Sequence, residues 1–169
     1  KLTELIRPAQ MPGIGPAVAR IRRAMDKKEK ITIYGDYDVD GITGLSILWE
    51  LLTLLGAQVD YYIPHRIDEG YGLNADAVRA LAEGGTRLLV TVDCGISAVA
   101  AANLAKELGV DLIVTDHHQP GAAMPAAVAI VHPALEPSYA NQDSAGALVA
   151  YKLAWAIAEE FSRGPKLEP

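Results

Sequence analysis

The sequence predicts an α/β protein built on a five-stranded, mainly parallel sheet with helices on both faces. Three observations carry that prediction. From Lys30 onward, short runs rich in β-branched residues alternate with apolar runs of helical spacing. The β-like runs are apolar on both sides, as strands covered on two faces must be. Acid- and histidine-rich stretches follow three of these runs directly, at the strand ends where such sheets bind ligands.

Residues 1–29 read as a lead-in segment with a helix over 17–27. Within it, Met11-Pro-Gly-Ile-Gly-Pro-Ala-Val-Ala-Arg20 resembles the hairpin of a helix-hairpin-helix DNA-binding element, which offers backbone N–H groups to phosphate. A plain Pro/Gly turn before the helix is the preferred reading, since only one such element is present and Pro8 interrupts its expected first helix.

Residues 30–162 read as one domain. A buried strand is expected over 31–34. A helix follows over 41–55, with Leu45, Leu48, Trp49, Leu52 and Leu55 at helical spacing and Gly56 at its C-terminus. The second strand covers 59–63. Asn74 caps a helix over 75–83 that Gly84-Gly85 ends. The third strand covers 87–92, and Ser97 is expected to cap a helix running to Leu108. Strands over 111–115 and 127–131 come next. A helix over 144–161 closes the domain, with Leu148, Tyr151 and Trp155 on one side. Residues 163–169 contain Pro and Gly and read as a linker or chain end.

Composition narrows the function classes. Half of the 169 residues are hydrophobic, enough for a proper core. No apolar run is long enough to span a bilayer, and residues 1–10 lack the apolar stretch of a signal peptide. Cys94 is the sole cysteine and has no internal disulfide partner, which points to a reducing, cytoplasmic setting. The net charge of −6 argues against a generic basic nucleic-acid coat. It is compatible with a nucleic-acid enzyme whose carboxylates are offset by bound cations.

The chemistry concentrates in three places. In Tyr34-Gly-Asp-Tyr-Asp-Val-Asp-Gly41, Asp36, Asp38 and Asp40 set like charges close together, an arrangement that cations stabilise. Oxygen ligands of this kind suit Mg²⁺ or Mn²⁺. A solvated acidic loop is the bland alternative. The run Asp38-Val-Asp-Gly-Ile-Thr43 also nearly matches the haloacid-dehalogenase phosphatase loop, but its Thr falls one residue late and the downstream Lys and Asp-Asp pair are not evident. In Thr91-Val-Asp-Cys-Gly95, Asp93 by itself reads as a turn cap, and Cys94 as a buried structural thiol. In Val114-Thr-Asp-His-His-Gln-Pro-Gly121, His117 and His118 are candidate metal ligands, with Asp116 placed to orient them. Acids and histidines from three strand ends meeting at one edge are the layout of a two-metal hydrolytic site.

At these residues the sequence resembles the DHH phosphoesterase superfamily, within it the RecJ-like single-strand-specific exonucleases. The runs that carry the resemblance are 33–43, Tyr62-Ile-Pro-His-Arg66 with Glu69-Gly-Tyr-Gly-Leu73, Val92-Asp-Cys-Gly95, Thr115-Asp-His-His118, and the helix opening at Ser144. Together they cover residues 20–160. The resemblance implies a Rossmann-like DHH domain and a nuclease with two Mn²⁺ or Mg²⁺ ions. It implies digestion of single-stranded DNA from the 5′ end, in repair and recombination, with replication or repair proteins as possible partners and no membrane role.

By motif, Asp38 and Asp40 match metal ligands, with Asp36 beside them. Asp93 matches the bridging ligand and His117 a further one. His118 matches a phosphate contact and Asp116 a supporting carboxylate. Arg66 is the expected phosphate clamp, with His65 and Tyr71 on the substrate side, although a simple Gly-rich connector is the alternative for that loop. The family's further ligand, an aspartate in a Gly-Thr-Val-Ala-Asp-like run after the last helix, has no counterpart before Pro169. The expectation is therefore a fragment carrying most of the site. Two other readings are a DHH phosphodiesterase acting on short oligonucleotides or cyclic dinucleotides, and a catalytically silent DHH scaffold in a replication complex.

Overall fold

A computed structural model describes residues 5–67 and 70–162. Five strands, β1 (Lys30–Gly35), β2 (Val59–Tyr62), β3 (Thr86–Val92), β4 (Asp111–Thr115) and β5 (Ala129–Val131), form one sheet in the order β2-β1-β3-β4-β5. Every pairing is parallel, so the sheet is wholly rather than mainly so. Five helices accompany it: α1 (Ile14–Asp26), α2 (Val39–Leu54), α3 (Ala75–Glu83), α4 (Val99–Glu107) and α5 (Gly146–Ser162). No helix among the described residues is long and apolar enough to cross a membrane.

Side chains leave a strand alternately to its two faces, and both faces here are apolar. Ile31, Ile33, Leu88, Val90, Val92 and Ile113 pack under α1, α2 and α5. Tyr34, Leu89, Leu112 and Val114 pack under α3 and α4. The unbroken apolar runs in the sequence arise from this two-sided burial.

The lead-in helix shares the first of these cores. α1 begins three residues earlier than periodicity indicated, because Gly13 takes the left-handed conformation (φ 80°) at its N-cap. A Cβ there would stand 1.9 Å from the Ile130 carbonyl oxygen, so the Pro/Gly turn packs against β5. Pro12 and Gly13 are half-buried in this turn. At the opposite, N-terminal edge of the strands, buried Arg20 binds Asp111 at 2.5 Å and Glu29 at 2.6 Å.

Several boundaries differ from the sequence reading for local reasons. α2 starts at Val39, since Asp38 caps it by accepting from the Gly41 N–H. Asp40 thus lies in a helical first turn instead of a loop. The expected Ser97 cap on α4 is absent. Ala98 occupies the N-cap position with no side-chain bond, and the Ile96 N–H is taken by Asp116. β5 is limited to three residues. α5 starts at Gly146, two residues late, and buries Val149, Leu153 and Ile157, so Leu148, Tyr151 and Trp155 lie on its half-buried flank. Trp49 likewise faces outward on α2, edge-on to Tyr61.

α2 crosses β3 and α5 closely at Gly44. A Cβ there would lie 2.7 Å from Val92 Cγ1 and 3.0 Å from Ala150 Cβ. Gly44→Ala gains up to about 1 kcal/mol of helix propensity but overpacks this crossing at a cost of about 1–3 kcal/mol. Net destabilisation is expected as a lower urea midpoint. A midpoint equal to or above that of the parent chain would contradict so tight a crossing.

Candidate metal centre at the switch point of the sheet

The strand order makes the chain turn one way from β1 to β2 and the other way to β3 and beyond. The loops leaving β1 and β3 therefore part, and a crevice opens beyond their carboxyl ends. The residue immediately after each strand at this crevice is polar and extends the ladder by one bond. The Asp36 N–H donates to the Val92 carbonyl (3.2 Å), that of Asp93 to Thr115 (2.9 Å), and that of Asp116 to Val131 (3.2 Å). Backbone pairing thus fixes three carboxylates along one edge, each only 1% exposed.

Burial leaves two of their oxygens unsatisfied. Asp36 Oδ1 and Asp93 Oδ1 have no hydrogen-bond partner among the described residues. His117 Nε2 stands 3.1 Å from Asp93 Oδ1, within ion-pair range but outside hydrogen-bonding alignment. Asp93 also adopts a left-handed backbone (φ 62°), unusual for a residue other than glycine. That turn is closed by Thr91 Oγ1 donating to the Cys94 carbonyl at 2.7 Å. Cys94 is buried, and burial first, then the surrounding carboxylates, push its thiol upward. A reactive thiol has the opposite shift.

The other motif acids sit at the start of α2. Asp38 is the cap and is exposed. Asp40 reaches the opposite helix, accepting from the Gly146 N–H (2.7 Å) and the Ala147 N–H (2.8 Å) at the start of α5. A carboxylate there both caps and neutralises the positive end of a helix. Gly146 has no room for a side chain, since a Cβ would lie 2.3 Å from Asp93 Oδ1.

Asp116 is fully engaged. One oxygen accepts from the Ile96 N–H, and the other from the N–H groups of His117 and His118 and from His118 Nδ1 at 2.7 Å. The Tyr71 hydroxyl donates to the Asp93 carbonyl at 3.2 Å and stands 3.2 Å from both ring nitrogens of His118. Tyr71 is itself held near the site from behind. Tyr34 donates to the Gly72 carbonyl, and Asn74, which caps α3, donates to Tyr34. Arg66 lies over the Tyr37 ring at 5.2 Å, beside the first acid loop, and His65 is exposed in the same connection.

The electrostatics follow from crowding. Burial, then the charges of Asp40 and Asp38, raise Asp93 to about 7. Burial also raises Asp36. For His118, burial acts downward, but the hydrogen bond and charge of Asp116, with Asp93 and Asp36, outweigh it and the net shift is upward. Tyr71 is raised, by burial first and by the neighbouring carboxylates second.

Divalent cations fit this donor set. Asp36, Asp38 and Asp93 bring ligand atoms within 4.8 Å of one another, and so do Asp93, His117 and His118, so Asp93 belongs to both groups. Asp40 stands in neither group, although His117 Nε2 is 3.8 Å from it. Mixed carboxylate and imidazole donors suit Mn²⁺, and the all-oxygen group suits Mg²⁺ as well. Two participants escaped the sequence reading. His132, the residue after β5, is 0% exposed and bonds the His118 carbonyl. Looking for a polar residue after every strand, instead of for acid clusters, would have found it. Gly146 carried no signal of its own, because its crowding arises only when α5 meets β3.

The family model described as "DHH family, N-terminal domain" matches residues 30–168. The chain is 50% identical over 156 residues to the single-stranded-DNA-specific exonuclease RecJ of Bacillus subtilis, covering 91% of this chain and 20% of that protein. It is 42% identical over 158 residues to the exonuclease of the same name from Thermus thermophilus, covering 94% of this chain and 23% of that protein. A crystal structure of exonuclease RecJ bound to manganese superposes with a TM-score of 0.87 at 40% identity, over 96% of this chain and 41% of that one. The chain thus spans about a fifth to a quarter of the length of these curated relatives.

The raised Asp93 makes a testable link between pH and stability. Its carboxyl keeps a proton in the folded chain between its ordinary value of 3.8 and about 7, where the unfolded chain has lost it. The stabilisation this gives is complete below the lower value and is lost as pH rises through the upper one. In a chelator, Asp93→Asn should therefore gain in urea midpoint relative to the parent chain as pH goes from 5 to 8. Parallel curves for the two proteins would show that Asp93 ionises normally.

Proposed function

The chain belongs to the DHH family, and from that premise we propose that it is the metal-binding part of a longer exonuclease that hydrolyses phosphodiester bonds in single-stranded DNA. The observation that carries the proposal is the pair of donor groups sharing Asp93, with buried, unpartnered oxygens on Asp36 and Asp93. The names of the relatives, and the fraction of their length that this chain spans, support the substrate class and the reading as one part of a larger enzyme.

In this reading Asp36, Asp38, Asp93 and His117 hold two divalent cations, manganese or magnesium, with Asp40 at the rim tying α2 to α5. Such ions, when bound, acidify water and offset the charge of the phosphate. The chain's own residues do the positioning. Asp116 accepts a hydrogen bond from His118 Nδ1 and so directs Nε2, with Tyr71 alongside, toward an incoming phosphate. Arg66, held over Tyr37, supplies a planar set of donors for a second phosphate oxygen. His65 lies beside it on the substrate side. No side chain acts as nucleophile. Digestion from the 5′ end, a role in repair and recombination alongside other proteins of those processes, and a cytoplasmic setting complete the proposal.

The test is digestion of a 5′-labelled single-stranded oligonucleotide by the complete enzyme. Release of nucleotides should require Mn²⁺ or Mg²⁺ and stop on chelation. Asp93→Ala should lower kcat at least about a hundredfold, as expected for loss of several kcal/mol of charge stabilisation. Near-normal activity in that variant would overturn the site. Arg66→Ala should act mainly on KM, raising it about ten- to a hundredfold for the loss of a charged hydrogen bond worth about 1.5–3 kcal/mol. An unchanged KM would remove Arg66 from phosphate binding.

A further inference from the structure

We propose that His132, a residue of the last strand end, is a positioning residue for His118; the inference rests on the reading of His118 as the phosphate contact. His132 is 0% exposed and directly follows β5. Its two ring nitrogens meet backbone groups whose roles are fixed. Nδ1 lies 3.2 Å from the Ala134 N–H, which can only donate. Nε2 lies 2.8 Å from the His118 carbonyl, which can only accept. A single tautomer satisfies both bonds, a neutral ring with its proton on Nε2.

The consequence is that His118 is gripped on both sides of its Cα. Asp116 accepts from its N–H and from its Nδ1. His132 takes its carbonyl. The first grip sets the rotation of the ring, and the second sets where the backbone carrying the ring sits. The Asp116 grip comes from a residue two positions away that the Val131 carbonyl and the Ile96 N–H hold at the end of β4, on the near side of His118. The His132 grip comes from a neighbouring strand end, fourteen residues away, and ties the loop to the sheet. Both ring nitrogens are spent on backbone groups, and neither bonds an oxygen of Asp36, Asp38 or Asp93 among the described residues, so its action is on His118.

Two variants separate this role from simple packing. In His132→Asn the side-chain oxygen can replace Nδ1 as acceptor for Ala134, while the donor to His118 is lost. In His132→Gln the longer amide can restore a donor at the Nε2 position. In the complete enzyme, His132→Asn should lower kcat on single-stranded DNA by about ten- to a hundredfold, the range for residues that orient a site through another. Mn²⁺ affinity, read by electron paramagnetic resonance of free Mn²⁺, should change less than the rate does, since neither ring nitrogen of His132 bonds Asp36, Asp38, Asp93 or His117. His132→Gln should recover most of the lost rate. Equal rates for His132→Asn and the parent enzyme would overturn the proposal. So would loss of activity and Mn²⁺ affinity together in both variants, which is the signature of a collapsed loop. A separate readout is the imidazole N–H of His132 in ¹⁵N-histidine-labelled protein, expected to exchange slowly with solvent. Its absence overturns the hydrogen bond itself. A parent enzyme with no metal-dependent hydrolysis would instead sink the proposed function, and the imidazole signal would still decide whether His132 holds the loop.

Discussion

Mutual repulsion among the acids at the mouth of the sheet is the constraint on which the rest of the structure depends. Asp36, Asp93 and Asp116 are withdrawn from solvent within one crevice, with Asp38 and Asp40 at its rim. Such groups resist joint ionisation, and Asp93 is raised by its burial first and by the charges of Asp40 and Asp38 second. What keeps them in place is the parallel ladder. Each of the three inner acids is bonded through its own N–H to the neighbouring strand, so separating the charges would mean breaking sheet pairing.

The helices around the crevice are fitted to the same problem. α2 and α5 are tied at their N-termini by Asp40, which binds the one through its place in the first turn and the other through two N–H groups. This draws α5 so close to β3 that only glycine is possible at 146, and Gly44 makes the matching accommodation on α2. The positive ends of two helices thereby face the acids, a partial compensation that costs no side chain. The left-handed turn at Asp93 belongs with these features, since it aims the carboxylate inward at a backbone cost of about 1–3 kcal/mol that the surrounding bonds offset.

Much of this was legible in the residues. Two-sided apolar runs announce a covered parallel sheet, and Asp36, Asp93 and Asp116 can be placed at strand ends by counting outward from those runs. What was hidden depends on partners far apart in sequence. Nothing near Asp40 reveals that its oxygens hold a helix 106 residues later. Ser97 reads as a cap because Ser often is one, but the helix starts one residue later, at an Ala98 cap, and the Val99 N–H donates to the Ser97 carbonyl instead of its side chain. His132 was passed over because a lone histidine followed by proline has no local signature, and its meaning comes from the carbonyl it meets.

The two ends of the sheet handle charge in opposite ways, and the contrast bears on what the acid edge is for. At the N-terminal edge, Asp111 and Glu29 are matched by Arg20 and Arg23, cations that are permanent and covalently part of the chain. At the other edge, among the described residues, the ion-pair partners of Asp40, Asp93 and Asp116 are His117 and His118 alone. An arginine or lysine there would relieve the repulsion and lower Asp93, but it would fill the space between the carboxylates with a charge that never leaves. Imidazole can give up its proton and turn the freed nitrogen into a ligand. A crevice whose ion-paired acids meet only histidines among the described residues keeps room for an exchangeable cation. The residual strain of the acid edge is therefore the same property that suits it to a metal.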